Sequence, residues 1–366
     1  MQTLLYNKDK ILEIKKKIED KDPSLGNHIE ISNIPITGDT ISIIMTACNR
    51  SRQTYFTLKT IQNSSHKAIQ VIIVDDSNKD PIIKEELEKY PFYIDFFSIN
   101  RQNKNWVNPV VNYNIGFGYI KGSKVVIQNA EVCHVGDVLE YMGSQMIDNN
   151  YYVCDVRASK SLKTNDIIYN NNLKSIDIYK NSELFGIWYQ NIDRLLNYHF
   201  LCGMTYKTFN KIKNFSYDYT MGISYDDDDF ILKIISNKIE IKNLFYNEYN
   251  FGGIHLWHNS SRKKKVESNI SIFNIKKKFY KNNNQYIDVI TEKDIINIEI
   301  NKKTNLLELQ NLLLELKNDK IINIIINKKI ITSEINTFRK CYLKRYCYKN
   351  SGIKIPKNLF IKIIYI

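Results

Sequence analysis

Gln70-Val71-Ile72-Ile73-Val74-Asp75-Asp76-Ser77 is the stretch on which the reading of the fold turns. Four β-branched residues in a row, with no polar alternation, describe a short strand buried on both faces. It stops at two carboxylates and a serine. Upstream, Ile41-Ser42-Ile43-Ile44-Met45-Thr46 has the same character, bounded by Gly38-Asp39 and by a polar turn at Cys48-Asn49-Arg50. A helical pattern from Tyr55 to Ile61 separates the two. Downstream the alternation continues: helix Pro81 to Tyr90, strand Tyr93 to Ser98, helix Asn108 to Tyr119, strand Lys124 to Ile127. Buried strands alternating with helices predict a parallel sheet covered on both faces. In such sheets the polar residues just past the carboxyl ends of the strands line the ligand crevice. Thr46, Asp75, Asp76, Asn129 and Glu131 all fall there.

Further elements extend this core. Leu4, Leu5, Ile11, Leu12, Ile14 and Ile18 mark one face of an N-terminal helix over residues 3–20, ended by Asp22-Pro23. Strands are expected at Tyr151 to Val156 and Phe200 to Met204, and a pair of strands over Phe245 to His258 around Gly252-Gly253. Between the last two lies Tyr225-Asp226-Asp227-Asp228-Asp229-Phe230. Four adjacent carboxylates repel one another and raise each other's pKa. The apolar spacing from Phe230 onward predicts a helix with these acids in its first turn, where its dipole favours negative charge. That placement suits a general base or a cation site, and equally a solvated capping cluster.

Composition limits the alternatives. The 366 residues are 43% hydrophobic and 12% aromatic, which fits a folded chain with a large core and not a disordered one. Residues 1–260 carry 29 Lys and Arg against 30 Asp and Glu, whereas residues 261–366 carry 23 against 9. The rear of the chain is therefore basic and suits an anionic partner or a solubilising surface. No apolar run reaches the roughly 18 residues of a membrane span, and the N-terminus lacks the apolar core of a signal peptide. Six cysteines without paired spacing read as free thiols. A cytoplasmic protein is expected.

The ordered set of Ile-Met-Thr-Ala-Cys-Asn-Arg, Val-Asp-Asp-Ser, Asn129-Ala130-Glu131 and the acidic helix start resembles the family 2 glycosyltransferases of the GT-A fold over about residues 40–260. The resemblance implies an α/β nucleotide-diphospho-sugar transferase fold, a Rossmann-like mixed sheet flanked by helices. It implies that Thr46, Cys48, Arg50, Asp75, Asp76, Asn114 and Asn129 bind a sugar nucleotide, with a UDP-sugar favoured and Asp76 accepting from the base. Cys48 stands where the family usually has a stacking aromatic residue. The family's Asp-x-Asp metal motif is reduced here to Asn129-Ala130-Glu131, leaving one carboxylate for Mn²⁺ or Mg²⁺. His255-Leu256-Trp257-His258 resembles the late metal segment of the β-1,4-galactosyltransferases, and His with carboxylate suits Mn²⁺. On a regular strand, residues three apart face opposite sides, so both histidines reach one ion only if the backbone turns there. The acidic run resembles the Glu-Asp-Asp-Asp motif of the same enzymes. By that register Asp227 is the general base, Asp226 holds the acceptor, and Asp228 and Asp229 cap the helix, with inversion at the anomeric carbon.

The expected divisions are an N-terminal helix and linker (1–39), the transferase domain (40–260), a basic loop (261–284) and a small basic α+β extension (285–366) with a helix at Leu306 to Leu316. Arg262-Lys263-Lys264-Lys265 could close over the diphosphate as a cationic loop. Trp188, Tyr189 and Tyr198 are candidate stacking residues for a glycan, glycoprotein or other hydroxyl acceptor. A nucleotidyltransferase is disfavoured by the lack of glycine in Thr46 to Arg50. The alternative is a glycosyltransferase-fold protein that binds glycan or another anionic partner with weak or no catalysis. Nucleic acid is a poorer partner, although Phe338 to Tyr346 interleaves aromatic and basic residues.

Overall fold

The computed structural model describes residues 8–170, 183–188, 190–191, 196–197, 200–259, 269–288, 295–300, 321–326 and 360–365. An N-terminal helix α1 (Lys8–Glu19) leads into strand β1 (Gly26–Ser32), then β2 (Ile41–Ala47), α2 (Ser51–Gln62), β3 (Ile69–Asp75), a single turn α3 (Lys84–Leu87), β4 (Tyr93–Ile99), α4 (Val110–Phe117) and β5 (Lys124–Asn129). Then come β6 (Val132–Val135), α5 (Val138–Gln145), β7 (Asn150–Cys154), β8 (Val156–Ser159), α6 (Leu162–Asn170), β9 (Phe185–Trp188) and the two-residue strands β10 (Gln190–Asn191) and β11 (Leu196–Asn197). The remainder comprises β12 (Leu201–Thr205), α7 (Tyr206–Ile212), the acidic helix α8 (Asp226–Ser236), β13 (Glu240–Leu244), α9 (Tyr246–Tyr249), β14 (Gly252–His255) and α10 (Ile270–Asn283).

The main sheet has the order β1-β4-β3-β2-β5-β12-β7-β13. Its centre, β4-β3-β2-β5, is parallel, as the continuous apolar runs require. Its flanks are not: β1 runs antiparallel to β4, and β12 antiparallel to both β5 and β7. The sheet is thus mixed, and β1, polar along most of its length, blunts an edge that the sequence pattern did not reveal. Alternate residues of β2 feed opposite faces. Ile44 joins Ile72, Val74 and Ile127 under α4, while Ile43 and Met45 join Val71 and Ile73 under Leu58 and Ile61 of α2. Each such buried side chain contributes about 1.5–3 kcal/mol. All eight residues of α4 are buried, so this helix lies within the core rather than on it. It can approach closely because of Gly116, where a Cβ would stand 2.9 Å from Cγ2 of Ile44.

Two expectations are corrected. The helix foreseen over Pro81 to Tyr90 is only the turn Lys84–Leu87, and the region over Phe245 to His258 is not a strand pair. It consists of α9 followed by the single strand β14, which pairs antiparallel with β6 and parallel with β8. The resulting small sheet, β6-β14-β8-β9, stands beside the main one. In the C-terminal region, β15 (Ile295–Ile300), β16 (Ile321–Ile326) and β17 (Phe360–Tyr365) form a parallel sheet of their own. The expected helix at Leu306 to Leu316 and the stretch Phe338 to Tyr346 lie outside the described residues, as do Cys341 and Cys347. The four described cysteines are free. No described helix is long and apolar enough to cross a membrane.

Candidate active site at the strand ends

The ends of β2, β3 and β5 come together as the parallel register demands. Thr46 lies beside Asn129 in the ladder and Ala47 beside Asp75. Asn49, with φ of 54°, folds back over the β3 loop. Its Oδ1 accepts from the backbone N–H groups of Asn78, Lys79 and Asp80 at 2.8–3.2 Å. Asp75 belongs to the same loop. One of its oxygens accepts from the Ser77 backbone and hydroxyl at 3.1 and 2.5 Å, the other from Ile82 N–H at 3.0 Å. Burial pushes its carboxyl up, against those hydrogen bonds. Its charge shapes the loop that carries the next residue.

Asp76 is 5% exposed and faces two cations that sequence reasoning missed. Arg101 donates to its Oδ1 at 2.6 Å, and Lys104 pairs with its Oδ2. Both follow β4, the third parallel strand, and the rule that singled out the ends of β2, β3 and β5 would have found them there. Cys48 donates to the Asp76 carbonyl at 3.3 Å.

Asn114 also serves elsewhere. It is 2% exposed, its amide donates to the Phe215 carbonyl and its Oδ1 accepts from the Phe215 N–H, both at 3.0 Å. These two bonds latch α4 to the loop after α7, a structural use of the side chain that stands beside the nucleotide contact the resemblance implied.

The cation candidates do converge. Glu131 is 1% exposed. His255 Nε2 and His258 Nε2 lie 3.3 and 3.4 Å from its Oε1, which Arg50 also contacts. β14 ends at His255, and the chain leaves strand geometry before His258, so residues three apart reach the same side. The hydrogen bond from Leu256 N–H to the Glu131 carbonyl at 2.9 Å continues the β6 register one residue past β14 and so holds the two segments together up to that departure. Ligand atoms of the three residues fall within 4.8 Å of one another. Glu131 Oε2 is buried and has no hydrogen-bond partner among the described residues, which is costly unless something cationic meets it. Burial would raise this carboxyl, yet Arg50 and the two histidines hold it well below the usual range. One carboxylate and two imidazoles form a donor set that fits a divalent first-row ion. Asn129 does not join them. Its Oδ1 and the Gln128 carbonyl each lie 3.0 Å from the Tyr113 hydroxyl, which also bonds Thr46.

Helix α4 ties this end of the site to the acidic helix. Asn108, just before α4, donates to Asp226 Oδ1 at 3.1 Å, while Tyr113 holds Asn129. The two residues lie five positions apart, Asn108 before the start of α4 and Tyr113 within its first turn or so. The acids themselves divide. Burial, then Asp226, then Asp228 push Asp227 up to about 8. Its Oδ1 accepts from Asp228 N–H at 3.2 Å. Asp229, expected to cap the helix, is instead buried. Tyr286 donates to its Oδ2 at 2.5 Å, and burial pushes it up to about 6 against the pull of Lys276. The N-cap position belongs to Tyr225, without a side-chain cap, so no acid of the run caps from there. Lys233, at 9% side-chain exposure, pairs with Asp288 at 2.9 Å. Trp188 lies on β9; Tyr189, Tyr198 and the Arg262 to Lys265 loop lie outside the described residues.

The model of the family described as "Glycosyl transferase family 2" matches residues 42–218. No curated protein matches the sequence. Among solved structures, S. aureus TarS 1-349 in complex with UDP-GlcNAc is similar at 12% identity and a TM-score of 0.44, covering 64% of this chain and 63% of that one. GalNAc-T7 with UDP, GalNAc and Mn²⁺ is similar at 10% identity and a TM-score of 0.42, covering 75% and 57%. The mannosyltransferase PcManGT from Pyrobaculum calidifontis, in complex with GDP-Man and Mn²⁺, is similar at 12% identity and 0.38, covering 73% and 66%. In its first three structural matches the chain spans 35%, 58% and 63% of the other chain's length. The match over residues 42–218, just under half of the chain, takes in the parallel centre of the mixed sheet and the strand-end site built on it, so that this segment is similar to glycosyl transferase family 2 and its GT-A fold.

Proposed function

We propose that the chain moves a sugar from a nucleotide-diphosphate donor, a UDP-sugar in the first instance, to an acceptor hydroxyl, with a divalent cation and with inversion. The observation that supports this most is the meeting of Glu131, His255 and His258 at the end of the sheet where Asp76 and Thr46 also stand. Glu131, His255 and His258 would hold Mn²⁺ in preference to Mg²⁺, because two of the three ligands are imidazoles. When bound, the ion neutralises charge that develops on the departing diphosphate. Asp76, steadied by Arg101 and Lys104, accepts from the base of the donor. Asp227 takes the proton of the acceptor hydroxyl as its oxygen bonds to the anomeric carbon and the bond to the diphosphate oxygen breaks. Asp226, held by Asn108, orients the acceptor, with Trp188, Tyr189 and Tyr198 as its stacking surface.

The second reading is a carbohydrate-binding protein on the same fold. It draws on Arg50, which already contacts Glu131, and on the neutral Asn129. Nucleoside diphosphate release, screened over a panel of sugar nucleotides with Mn²⁺, Mg²⁺ or chelator, separates them. Metal-stimulated release from one donor supports transfer. Binding of a donor without release under any metal supports the second reading.

A further inference from the structure

Helix α10 follows the segment bearing His255 and His258 and packs over the start of the acidic helix, meeting it at two levels. The first is the turn that launches the helix. Ser224 and Tyr225 have φ of 64° and 68°, the left-handed region that residues with a side chain rarely adopt. Asn269 N–H donates to the Ile223 carbonyl at 2.9 Å, and its side-chain amide donates to the Tyr219 carbonyl at 3.0 Å. Phe273 stacks on Tyr225, with ring centroids 5.7 Å apart and an interplanar angle of 26°.

The second level lies beneath the helix. Lys276 is 0% exposed. Its Nζ stands 3.0 Å from Asp218 Oδ2 and 3.8 Å from Asp229 Oδ2, and it donates to Ser216 Oγ at 2.6 Å and the Asp288 carbonyl at 2.7 Å. Tyr286 donates to the same oxygen of Asp229, while Asp229 Oδ1 is buried without a hydrogen-bond partner among the described residues. Asp229 also feels Lys233, but both buried carboxylates lie against one buried ammonium, that of Lys276. Removing it leaves charges that the interior does not tolerate, and the segment carrying them must move or take up a proton.

We infer that Lys276, together with Phe273 and Tyr286, is a positioning residue for the transfer reaction: α10 clamps the strained start of the acidic helix and thereby aims Asp227. This rests on reading Asp227 as the base. The rear acid of the run, Asp229, is the anchor that Lys276 holds, and the front pair, Asp226 and Asp227, is left for chemistry.

The test uses the full chain with Lys276→Met, Tyr286→Phe, Phe273→Leu and the double variant Lys276→Met/Asp229→Asn. Hydrogen exchange is followed without substrate, and nucleoside diphosphate release is followed with Mn²⁺. Lys276→Met should speed exchange over residues 222–230 about tenfold or more and leave residues 41–47 and 69–75 as they were. Its kcat should fall by about 10²-fold, as for a displaced catalytic group, with donor KM nearly unchanged. Removing the stranded charge in the double variant should restore part of both. Unchanged exchange at 222–230, equal acceleration throughout the sheet, or an unchanged kcat overturns the inference. If Lys276→Met does not fold, Tyr286→Phe and Phe273→Leu decide by the same criteria. If the wild type releases nucleotide from no donor, the transferase reading falls, and exchange alone decides whether Lys276 orders the helix start.

Discussion

Asp227 should make the reaction climb steeply with pH, and Asp226 should set where the climb occurs. A base works only as the carboxylate. With its pKa pushed up to about 8 by burial, Asp226 and Asp228 in that order, Asp227 is about 1% ionised at pH 6, about 10% at pH 7 and about half at pH 8. The rate should thus rise nearly tenfold from pH 6 to 7, about fivefold from 7 to 8, and then level. Asp226→Asn removes the larger of the two neighbouring charges while retaining a side chain that Asn108 can bond. It should move the midpoint down by roughly one unit, and burial should keep it above the ordinary carboxylate range. Asp227→Asn should cost about 10² to 10⁴ in rate and leave donor affinity within a few-fold. The sign for stability is the reverse of that for activity. Because the folded pKa exceeds the unfolded one, the native state keeps a proton that the unfolded chain releases. Stability from this group is complete below about pH 4 and is lost as pH climbs through about 8. The assay is nucleoside diphosphate release between pH 5.5 and 9.5, paired with urea midpoints over the same range. A flat rate profile, or a midpoint that Asp226→Asn does not move, would refute the assignment of the base. Loss of donor binding in Asp227→Asn would place that residue on the donor instead.

Other outcomes are also specific. Glu131→Ala, His255→Ala and His258→Ala should each weaken Mn²⁺ binding, measured by calorimetry without substrate, about 10- to 100-fold; a variant that titrates like wild type removes that residue from the ligand set. Asp76→Ala should raise the donor's dissociation constant about ten- to a hundredfold, the worth of a charged hydrogen bond of roughly 1.5–3 kcal/mol, with an unchanged circular dichroism spectrum. An unchanged constant would move the nucleoside away from β3. Asn114→Ala should destabilise the fold by about 2–4 kcal/mol in urea, because it orphans both the N–H and the C=O of Phe215, and should leave donor affinity intact. A loss of affinity with normal stability would return Asn114 to the nucleotide site.

What could be read from the residues follows from how local each signal is. Val71 to Val74 and Ile41 to Thr46 announce buried parallel strands because their apolar residues run on without strict alternation, and the residues just past them inherit a place in the crevice. Glu131 and the two histidines needed a turn after β14 that no local pattern shows. The Leu256 N–H bond to Glu131, made across more than 120 residues, brings the two segments together at the point where the strand ends. Asp75 and Asn114 look like ligand residues by type and position, and the backbone partners that each also has could not be read from the sequence. The acidic run shows the same limit. Its helix was legible, whereas the fate of Asp229 depended on Lys276 and Tyr286, whose own neighbourhood carries no motif. The edge strand β1 does alternate, His28-Ile29-Glu30-Ile31-Ser32, but with only two apolar residues the run was too short a signal to mark a strand.

Val132, the residue directly after Glu131, pairs with His255 across the β6–β14 ladder. A single rung of backbone hydrogen bonds therefore sets the spacing of carboxylate and imidazole, and the long stretch of chain between them does not. Because closing a longer loop adds only about 0.6 kcal/mol per doubling of its length, the loops that join the elements between those strands can be lengthened or exchanged without disturbing that rung. Such loops are thus free to diverge, while the spacing of Glu131 and His255 stays with a fixed pair of neighbouring strands.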